Sequence, residues 1–354
     1  MSTGWQARSE IGNPLALRMM VAVATSCGRG IARVFLWPTA LYFFLRRGPE
    51  RRSSRLYLER VLGRKASSWE VYRHIHTFAC TILDRLYLFS ERFKRFDIRT
   101  EGLRELDRAL AGGKGVLLIG SHLGSFDALR VLSLERPEVV VRIVLDIEHS
   151  QRLSQFLNAL NPALAASIIN AREAGPAAAI AIKQALDENA IVALLADRGQ
   201  PNNATQPATF LGHAAPFPLS PWLLASAVKT PVMLAFGLYR GGNRYDLHFE
   251  MFAECLSIDR ARRSEVLAEI LQRFADRLAH YARLAPYNWF NFYDFWNNVP
   301  DPAVAHENAQ QHGEAERGTA AYEKLAPGTA SHEGAGARGD GLGGAGSGEV
   351  LRRS

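Results

Sequence analysis

A histidine and an aspartate lie five positions apart in the stretch SHLGSFD, residues 121–127. An imidazole is a suitable general base near neutral pH, and a carboxylate bonded to one ring nitrogen leaves the other nitrogen available for a substrate proton. His122 and Asp127 are therefore the candidate catalytic pair. The alternative is a helix cap, in which Ser121 or Asp127 accepts hydrogen bonds from backbone amides and the His122 ring packs half-buried. Ten histidines would give this spacing by chance about half a time, so the surrounding structure must decide.

Short apolar runs alternate with helix-like stretches from Gly113 onward. The runs that predict strands are 115–119, 139–145, 166–170 and 190–196, and the stretches that predict helices are 124–134, 149–160 and 174–188. This alternation predicts an α/β fold, with a mostly parallel or mixed central sheet flanked by helices. His122 then follows the C-terminal end of a strand, where ligands bind in open α/β sheets, and Asp127 lies near the first turn of the next helix.

The flanking regions complete this fold. Apolar residues at threes and fours predict a long amphipathic helix over 68–93. Further elements are predicted as helices at 217–228 and 257–284 and as strands at 231–239 and 245–252.

The N-terminal region is both basic and apolar. Residues 1–65 hold twelve Arg or Lys against three Glu, in a chain whose formal net charge is +7. The apolar run 14–45 is interrupted by Arg18, Arg29 and Arg33, so no stretch reaches the roughly 18 to 20 apolar residues that span a bilayer. Neither a cleavage site nor a cleaved signal peptide is indicated. An amphipathic or re-entrant membrane anchor is predicted, and a buried core helix is the alternative.

Three segments follow from these patterns. Residues 1–65 are predicted to form a membrane-associated segment with Trp37, Tyr42, Phe43 and Phe44 at the interface. Residues 66–299 are predicted to form the α/β domain. Residues 300–354, rich in Ala, Gly and Glu without periodicity, are predicted to be disordered.

Several classes of protein lack their expected motif. The chain has no GxSxG nucleophile elbow and no HExxH zinc motif, and its three cysteines have no CxxC spacing. GLGGAG at 341–346 follows no predicted strand, so it does not indicate a dinucleotide site. The basic cluster lies beside an apolar segment without a nucleic-acid reader motif, so nucleic acid is not an expected partner. No metal or cofactor is expected.

These residues carry a resemblance to a known family. SHLGSFD resembles the H-x4-D motif of the lysophospholipid acyltransferase superfamily, and its surroundings are most similar to the late acyltransferases of lipid A biosynthesis. Later stretches match in the same order, over about residues 15–297: IINAREAG, ALLADRGQPNNATQPATFLGHAAPFPLSPWLLA, KTPVMLAF and YNWFNFYDFW.

The resemblance implies a set of binding residues. Arg172 is expected to hold the acceptor. Further expected substrate-binding residues, beside the catalytic His122 and Asp127, are Gly124, Ser125, Asp197, Arg198, Phe210 and Gly212. Simpler roles remain open, namely a surface ion pair for Arg172, mutual pairing of Asp197 and Arg198, and a turn and core at 210–217.

The third block of glycerolipid enzymes, Phe-Pro-Glu-Gly-Thr-Arg, is absent, which disfavours a glycerol-phosphate acceptor. The lipid A branch usually has glutamine after the aspartate, whereas this chain has Arg198, so the acceptor is left open.

The expected function is acyl transfer from acyl carrier protein or coenzyme A to a hydroxyl of a lipid or glycolipid. His122 would deprotonate the acceptor, and backbone amides or an arginine would stabilise the oxyanion. The basic face suits an acidic carrier protein or a phosphorylated thioester, and the expected location is the cytoplasmic face of the bacterial inner membrane. The alternatives are a lysophosphatidic acid acyltransferase and a non-catalytic membrane-peripheral binder of a lipid or carrier.

Overall fold

The computed structural model describes residues 24, 26, 28–88, 95–130, 138–145, 168–170, 176–199 and 204–296. The α-helices in these residues are α1 (Gly28–Arg46), α2 (Gly48–Leu62), α3 (Ser68–Leu88), α4 (Leu103–Ala111), α5 (Pro176–Asp187), α6 (Ser220–Val228) and α7 (Arg263–Leu284). The strands are β1 (Asp97–Glu101), β2 (Val116–Gly120), β3 (Val141–Leu145), β4 (Ile168–Asn170), β5 (Ile191–Leu195), β6 (Thr205–Phe210), β7 (His213–Pro218), β8 (Val232–Gly241) and β9 (Arg244–Ala253).

Seven of these strands form one central sheet in the order β1-β9-β8-β2-β5-β3-β4. Neighbours from β8 to β4 are parallel, β9 is antiparallel to β8, and β1 is parallel to β9. The predicted α/β fold with a mostly parallel sheet is therefore confirmed. In the centre, Gly120 at the end of β2 lies opposite Leu195 at the end of β5, so the two chain segments leave the sheet side by side.

Both faces of the sheet are covered, which explains why its central strands read as continuous apolar runs. All five residues of β2 are buried. Leu117 and Ile119 belong to the core on one face, and Val116 and Leu118 belong to the core on the other. Helices α5, α6 and α7 cover the first face, α4 and most of the buried side of α1 cover the second, and α3 contributes to both cores.

Several sequence predictions differ from the observed elements. Where a helix was predicted over 124–134, the described part is a 3-10 helix at Phe126–Arg130. Helix α7 begins at Arg263 rather than at 257. The predicted turn at 210–212 is the tip of a hairpin between β6 and β7, which pair as a separate two-stranded sheet. Its two turn residues, Leu211 and Gly212, have φ of 51° and 83°, as a tight two-residue hairpin turn requires.

Two of the predicted segments lie wholly outside the described residues. These are the helix predicted over 149–160 and the tail predicted over 300–354.

Helix α1 has one face in the core and one face outside. Ala32, Leu36 and Ala40 are buried, whereas Trp37 and Tyr42 are 47% and 57% exposed. The core-helix interpretation therefore describes one face of this helix, and the membrane-anchor interpretation stays a prediction for the exposed face. None of the described helices is long and apolar enough to cross a bilayer.

Candidate active site

His122 forms a hydrogen bond with an aspartate that follows the neighbouring strand, at the C-terminal edge of β2 and β5. His122 lies two residues beyond β2, and Asp197 lies two residues beyond β5. The His122 Nδ1 atom is 2.8 Å from Asp197 Oδ1, and the backbone N–H of His122 donates to Asp197 Oδ2 at 3.0 Å. Two bonds to one carboxylate fix both the ring and its backbone.

Trp289 supplies a third hydrogen bond to the same carboxylate. Its indole Nε1–H donates to Asp197 Oδ2 at 3.0 Å, and both side chains are fully buried. The backbone around Trp289 runs antiparallel to the loop that carries His122. Phe290 N donates to His122 O at 2.9 Å, and Gly124 N donates to Asn288 O at 2.7 Å. The segment 288–290 therefore positions both members of the pair.

The protonation states follow from burial and charge. Burial alone would raise the pKa of Asp197, but the charge and hydrogen bonds of His122 and the charge of Arg198 outweigh it and lower the pKa to about 2. Burial and repulsion by Arg198 lower the pKa of His122 from its ordinary value near 6.5. At neutral pH the ring is therefore neutral and carries its proton on Nδ1, facing the ionised Asp197. Nε2 is left as an acceptor, without a hydrogen-bond partner among the described residues, on a side chain that is 33% exposed.

The loop after β2 requires glycine at position 124. Gly124 has φ of +72°, and a Cβ there would lie 1.9 Å from the backbone oxygen of Gly237 on β8. Ser125 N donates to the same oxygen at 2.7 Å. The backbone at Gly124 thus packs directly against β8, and substrate contact by Gly124 and Ser125 stays a prediction.

The structure corrects the pairing inferred from the five-residue spacing. Asp127 forms an ion pair with Arg85 of α3 and makes no hydrogen bond with His122. The reason is that residues 126–130 form a 3-10 helix that brings Asp127 to the cationic donor of α3, while Asp197 reaches the ring from the neighbouring strand. The charge of Arg85, the partner of Asp127, also lowers the pKa of His122.

Arg198 lies beside the pair and does not simply bond to Asp197, the alternative considered from the sequence. Its guanidinium donates to the backbone oxygen of Phe290 and lies 5.6 Å from the centre of the Tyr293 ring. Its Nε–H is buried and has no hydrogen-bond partner in the described part of the chain. A role in substrate binding stays a prediction.

The other predicted binding residues have different surroundings. Phe210 is fully buried and packs edge-on against Trp289, with ring centroids 5.0 Å apart, and parallel to Trp296. Gly212 lies in the exposed hairpin turn. Arg172 lies outside the described residues. The structure therefore places Phe210 behind the His122–Asp197 pair as packing and gives Gly212 no contact with it.

Several buried polar atoms near His122 lack a partner among the described residues. They are Ser121 Oγ, Ser125 Oγ, Arg198 Nε and both side-chain polar atoms of Asn291. Buried polar groups in folded proteins are nearly always hydrogen-bonded, so a cluster of exceptions marks a place for a ligand or water. All four residues belong to the segments that carry or support His122.

Sequence reasoning missed the roles of Trp289 and His74. His74 on α3 is fully buried, its Nε2 lies 3.0 Å from the Trp289 backbone oxygen, and its Nδ1 lies 2.7 Å from Ser54 Oγ of α2. Burial lowers its pKa to about 4, so it is neutral. The aromatic closing stretch was recognised, but no sequence pattern shows which of its rings reaches Asp197.

No three His, Cys, Asp or Glu side chains of the described residues come together as potential metal ligands.

The whole described site lies within a region of recognised family similarity. Residues 26–298 match the sequence model of a family described as bacterial lipid A biosynthesis acyltransferase. The chain belongs to this family. It is accordingly an acyltransferase of lipid A biosynthesis type, which confirms the resemblance inferred from its motifs. No curated protein shows significant similarity to the chain.

Proposed function

We propose that this lipid A family acyltransferase moves a fatty acyl group from an acyl thioester to a hydroxyl of a lipid or glycolipid acceptor, with His122 as general base. The observation that carries the proposal is the state of the imidazole. Its Nδ1 is held by the buried, ionised Asp197, and its Nε2 is left to accept a proton. This arrangement needs no protein nucleophile.

The acyl group then passes directly from the thioester to the acceptor hydroxyl, without an acyl-enzyme intermediate. His122 Nε2 takes the acceptor hydroxyl proton as the oxygen attacks the thioester carbonyl carbon, which forms a tetrahedral oxyanion. The carbon–sulfur bond breaks, and the imidazolium returns the proton to the departing sulfur. Asp197 stabilises the imidazolium between these steps, and the product is an ester plus a free thiol.

Two arginines are candidates to stabilise the oxyanion. The charges of Arg85 and Arg198 both lower the pKa of His122, so both guanidinium groups act electrostatically on the ring. Arg198 also has a buried Nε–H without a described partner, as a donor reserved for a ligand would. In this proposal Asp127 keeps its place in the machinery by holding Arg85 beside the ring. The acceptor role of Arg172 remains as predicted from the resemblance.

The donor is acyl carrier protein or coenzyme A, as predicted from the sequence. Each methylene of the acyl chain buried in the protein contributes about 0.8 kcal/mol to binding. The arginines of α2 and its N-terminal junction give an acidic carrier or a phosphorylated thioester a complementary surface. Those without an acidic partner among the described residues are Arg47, Arg51, Arg52 and Arg55.

Peripheral attachment to the cytoplasmic face of the inner membrane is part of the proposal. The outward face of α1 exposes large apolar side chains at helical spacing, namely Ile31, Val34, Phe35, Leu41, Tyr42 and Leu45. Arginines follow directly, at Arg46 and Arg47. Apolar side chains on one face of a helix and flanking cations are typical of helices that lie in a membrane interface.

The proposal is tested by replacing the base. His122→Ala is expected to lower the rate of acyl transfer by roughly 10²- to 10⁴-fold, because it removes the group that accepts the hydroxyl proton. The assay follows the free thiol and the mass of the acylated lipid, with a panel of acceptors that includes lysophosphatidic acid and a glycolipid.

His213→Ala is the matched control, because His213 is exposed at the first position of β7. Unchanged turnover in folded His122→Ala would contradict the assignment, and absence of turnover in the wild type with every acceptor would favour a non-catalytic lipid or carrier binder. Transfer to lysophosphatidic acid alone would favour the glycerolipid alternative.

A further inference from the structure

A cavity lies apart from His122, between α1, α3, the end of β8 and the segment after α7. Its volume is about 490 Å³, and its walls include Arg33, Trp37, Arg73, His76, Arg240 and Tyr287. None of the four side chains that define the acyl-transfer site, His122, Asp197, Arg85 and Arg198, lines it. We infer that this cavity binds the phosphate-bearing headgroup of an anionic membrane lipid. The inference rests on the membrane association proposed above.

The charge of the cavity is one-sided. Three arginines and a histidine line it, and no Asp or Glu does. Arg33 is held by the Tyr239 hydroxyl and the Gly242 carbonyl, and Arg240 by Asp246 at 2.7 Å and the Leu284 carbonyl at 2.9 Å. These bonds hold two guanidinium groups in place at the cavity wall, which lowers the entropy lost when they bind an anion.

Arg73 is the cation that no acid compensates. Its guanidinium lies over the Tyr287 ring, 4.3 Å from the centroid, and it has no ion pair among the described residues. The nearby Glu70 is occupied instead by Arg64, whose two terminal nitrogens donate to it at 2.6 and 3.1 Å. An arginine that keeps its charge uncompensated at a cavity wall is suited to a phosphate, whose oxygens match the guanidinium fork.

The aromatic wall specifies a lipid rather than a soluble phosphate. Trp37 of α1 stacks on Trp69 of α3 with centroids 6.1 Å apart, and its ring is 4.4 Å from that of His76. Both tryptophans are about half exposed. Trp37 also continues the outward apolar face of α1, so the cavity opens beside the surface proposed to enter the membrane. Tryptophan side chains favour this interfacial depth, where one edge is apolar and the other is hydrated.

The occupant therefore spans two environments. A phosphodiester fits among the arginines, and its acyl chains continue along α1 in the lipid layer. The cavity volume is within the range of small-molecule sites. A basic residue near an anionic membrane surface strengthens binding by about fivefold, and a direct contact with one phosphate is expected to reach at least that value.

The test compares vesicles of phosphatidylcholine alone with vesicles of phosphatidylcholine and phosphatidylglycerol, by flotation of the full-length protein. The wild type is expected to prefer the anionic vesicles. Arg73→Gln is expected to lower that preference by roughly fivefold or more and to leave binding to phosphatidylcholine unchanged. Arg99→Gln is the matched control, because Arg99 is an exposed arginine on β1 at the edge of the sheet.

Each other outcome overturns the inference. An anionic preference equal in Arg73→Gln and wild type, or lowered equally in Arg99→Gln, assigns the effect to general surface charge. Thermal stabilisation by inorganic phosphate in wild type but not in Arg73→Gln, without a vesicle preference, assigns the site to a soluble phosphorylated ligand. His122→Ala separates the two proposals, since it is expected to keep the vesicle preference while losing acyl transfer.

Discussion

At the residue scale, the proposed base is oriented by a carboxylate distant in the chain. His122 and Asp197 are 75 positions apart, and their bond exists because β2 and β5 are neighbours in register. Asp197 in turn accepts hydrogen bonds from the His122 backbone and from Trp289. A buried carboxylate with several donors stays ionised and immobile, which is what an orienting group for imidazole requires.

The two candidate carboxylates are distinguished by their effects on the pH profile. Asp197→Asn is expected to lower kcat by roughly 10²-fold or more and to lower the pKa of His122 further, because Asp197 favours the imidazolium. Since the native pKa of His122 is already below 6.5, the acid limb of kcat/KM is expected below that pH in the wild type and lower still in this variant.

Asp127→Asn is the companion variant. It removes the partner of Arg85 rather than the partner of the ring, so a smaller loss of kcat is expected. A larger loss at Asp127 than at Asp197, together with the larger shift of the acid limb, would restore the pairing suggested by the sequence spacing.

The indole of Trp289 is expected to act through Asp197. Trp289→Phe keeps most of the ring packing and removes one hydrogen bond to a charged acceptor, a change of about 1.5 to 3 kcal/mol. The expected result is a kcat lowered by roughly tenfold or more with little change in KM, measured by steady-state kinetics.

Trp222→Phe is a suitable control, since Trp222 is also fully buried but its Nε1 has no partner among the described residues. Equal kinetic losses in both variants would mean that Trp289 contributes packing alone.

At the element scale, three segments converge on the loop after β2. Residues 288–290 pair with that loop, and α3 supports them from behind through His74. His74 also bonds to Ser54, so α2 and α3 are tied to the same backbone that carries Trp289. The geometry of the candidate site thus depends on α2, which contributes no side chain to it, as well as on α3, which carries Arg85.

The buried His74 predicts a loss of stability in acid. Its pKa is about 4 in the folded protein and near 6.5 when unfolded, so between these pH values only the unfolded state binds the proton. The contribution of the neutral His74 to the free energy of unfolding is fully present above pH 6.5, and it decreases as the pH falls. From pH 7 to pH 4 the loss is about 3 kcal/mol, which urea titrations at several pH values measure.

Comparing the wild type with a His74 variant isolates the contribution of His74 to the pH dependence of stability. His74→Gln removes the titrating ring, so its stability is expected to vary less with pH than that of the wild type, whereas His213→Gln is expected to retain the wild-type slope. Identical slopes in the wild type and His74→Gln would show that the pKa of His74 is the same in the folded and the unfolded protein.

At the scale of the whole molecule, helix α1 has one side buried in the core and an opposite side that exposes apolar side chains. The buried side of α1 is fixed to the α/β body, and Arg29 of α1 donates two hydrogen bonds to the buried Asp84 of α3 at 2.8 and 2.9 Å. The opposite side exposes seven large apolar side chains, Trp37 among them. Exposing these apolar side chains to water brings no gain in free energy. A helix that lies in a membrane interface removes such side chains from water, which is favourable.

A charge on this stripe is expected to weaken membrane binding. Phe35→Glu loses the transfer of a phenyl ring into the interface, so partitioning onto phosphatidylcholine vesicles is expected to fall by roughly tenfold or more. Ile180→Glu on α5 is the control, because Ile180 is similarly exposed but isolated from α1. Unchanged partitioning of Phe35→Glu would contradict α1 as the membrane contact.

Much of the fold could be predicted from the sequence, because buried parallel strands appear there as continuous apolar runs. Continuous apolar runs predicted β2, β3, β4 and β5 to within a few residues, and the alternation with helices predicted the sheet. The hairpin of β6 and β7 was not predicted as strands, because Pro207, Pro216 and Pro218 interrupt these short segments and proline argues against a strand. The local pattern there indicated only a turn.

By itself, the sequence determined the α/β class, the acyltransferase family and the position of His122 at a strand end. Each of these depends on local composition or on motifs in chain order. Only the tertiary structure decided that Asp197 orients His122, that Asp127 pairs with Arg85 and that Trp289 supports the pair. These contacts join segments far apart in the chain, and they depend on strand order and on how the backbone leaves each strand. A spacing of five residues carries no information about either.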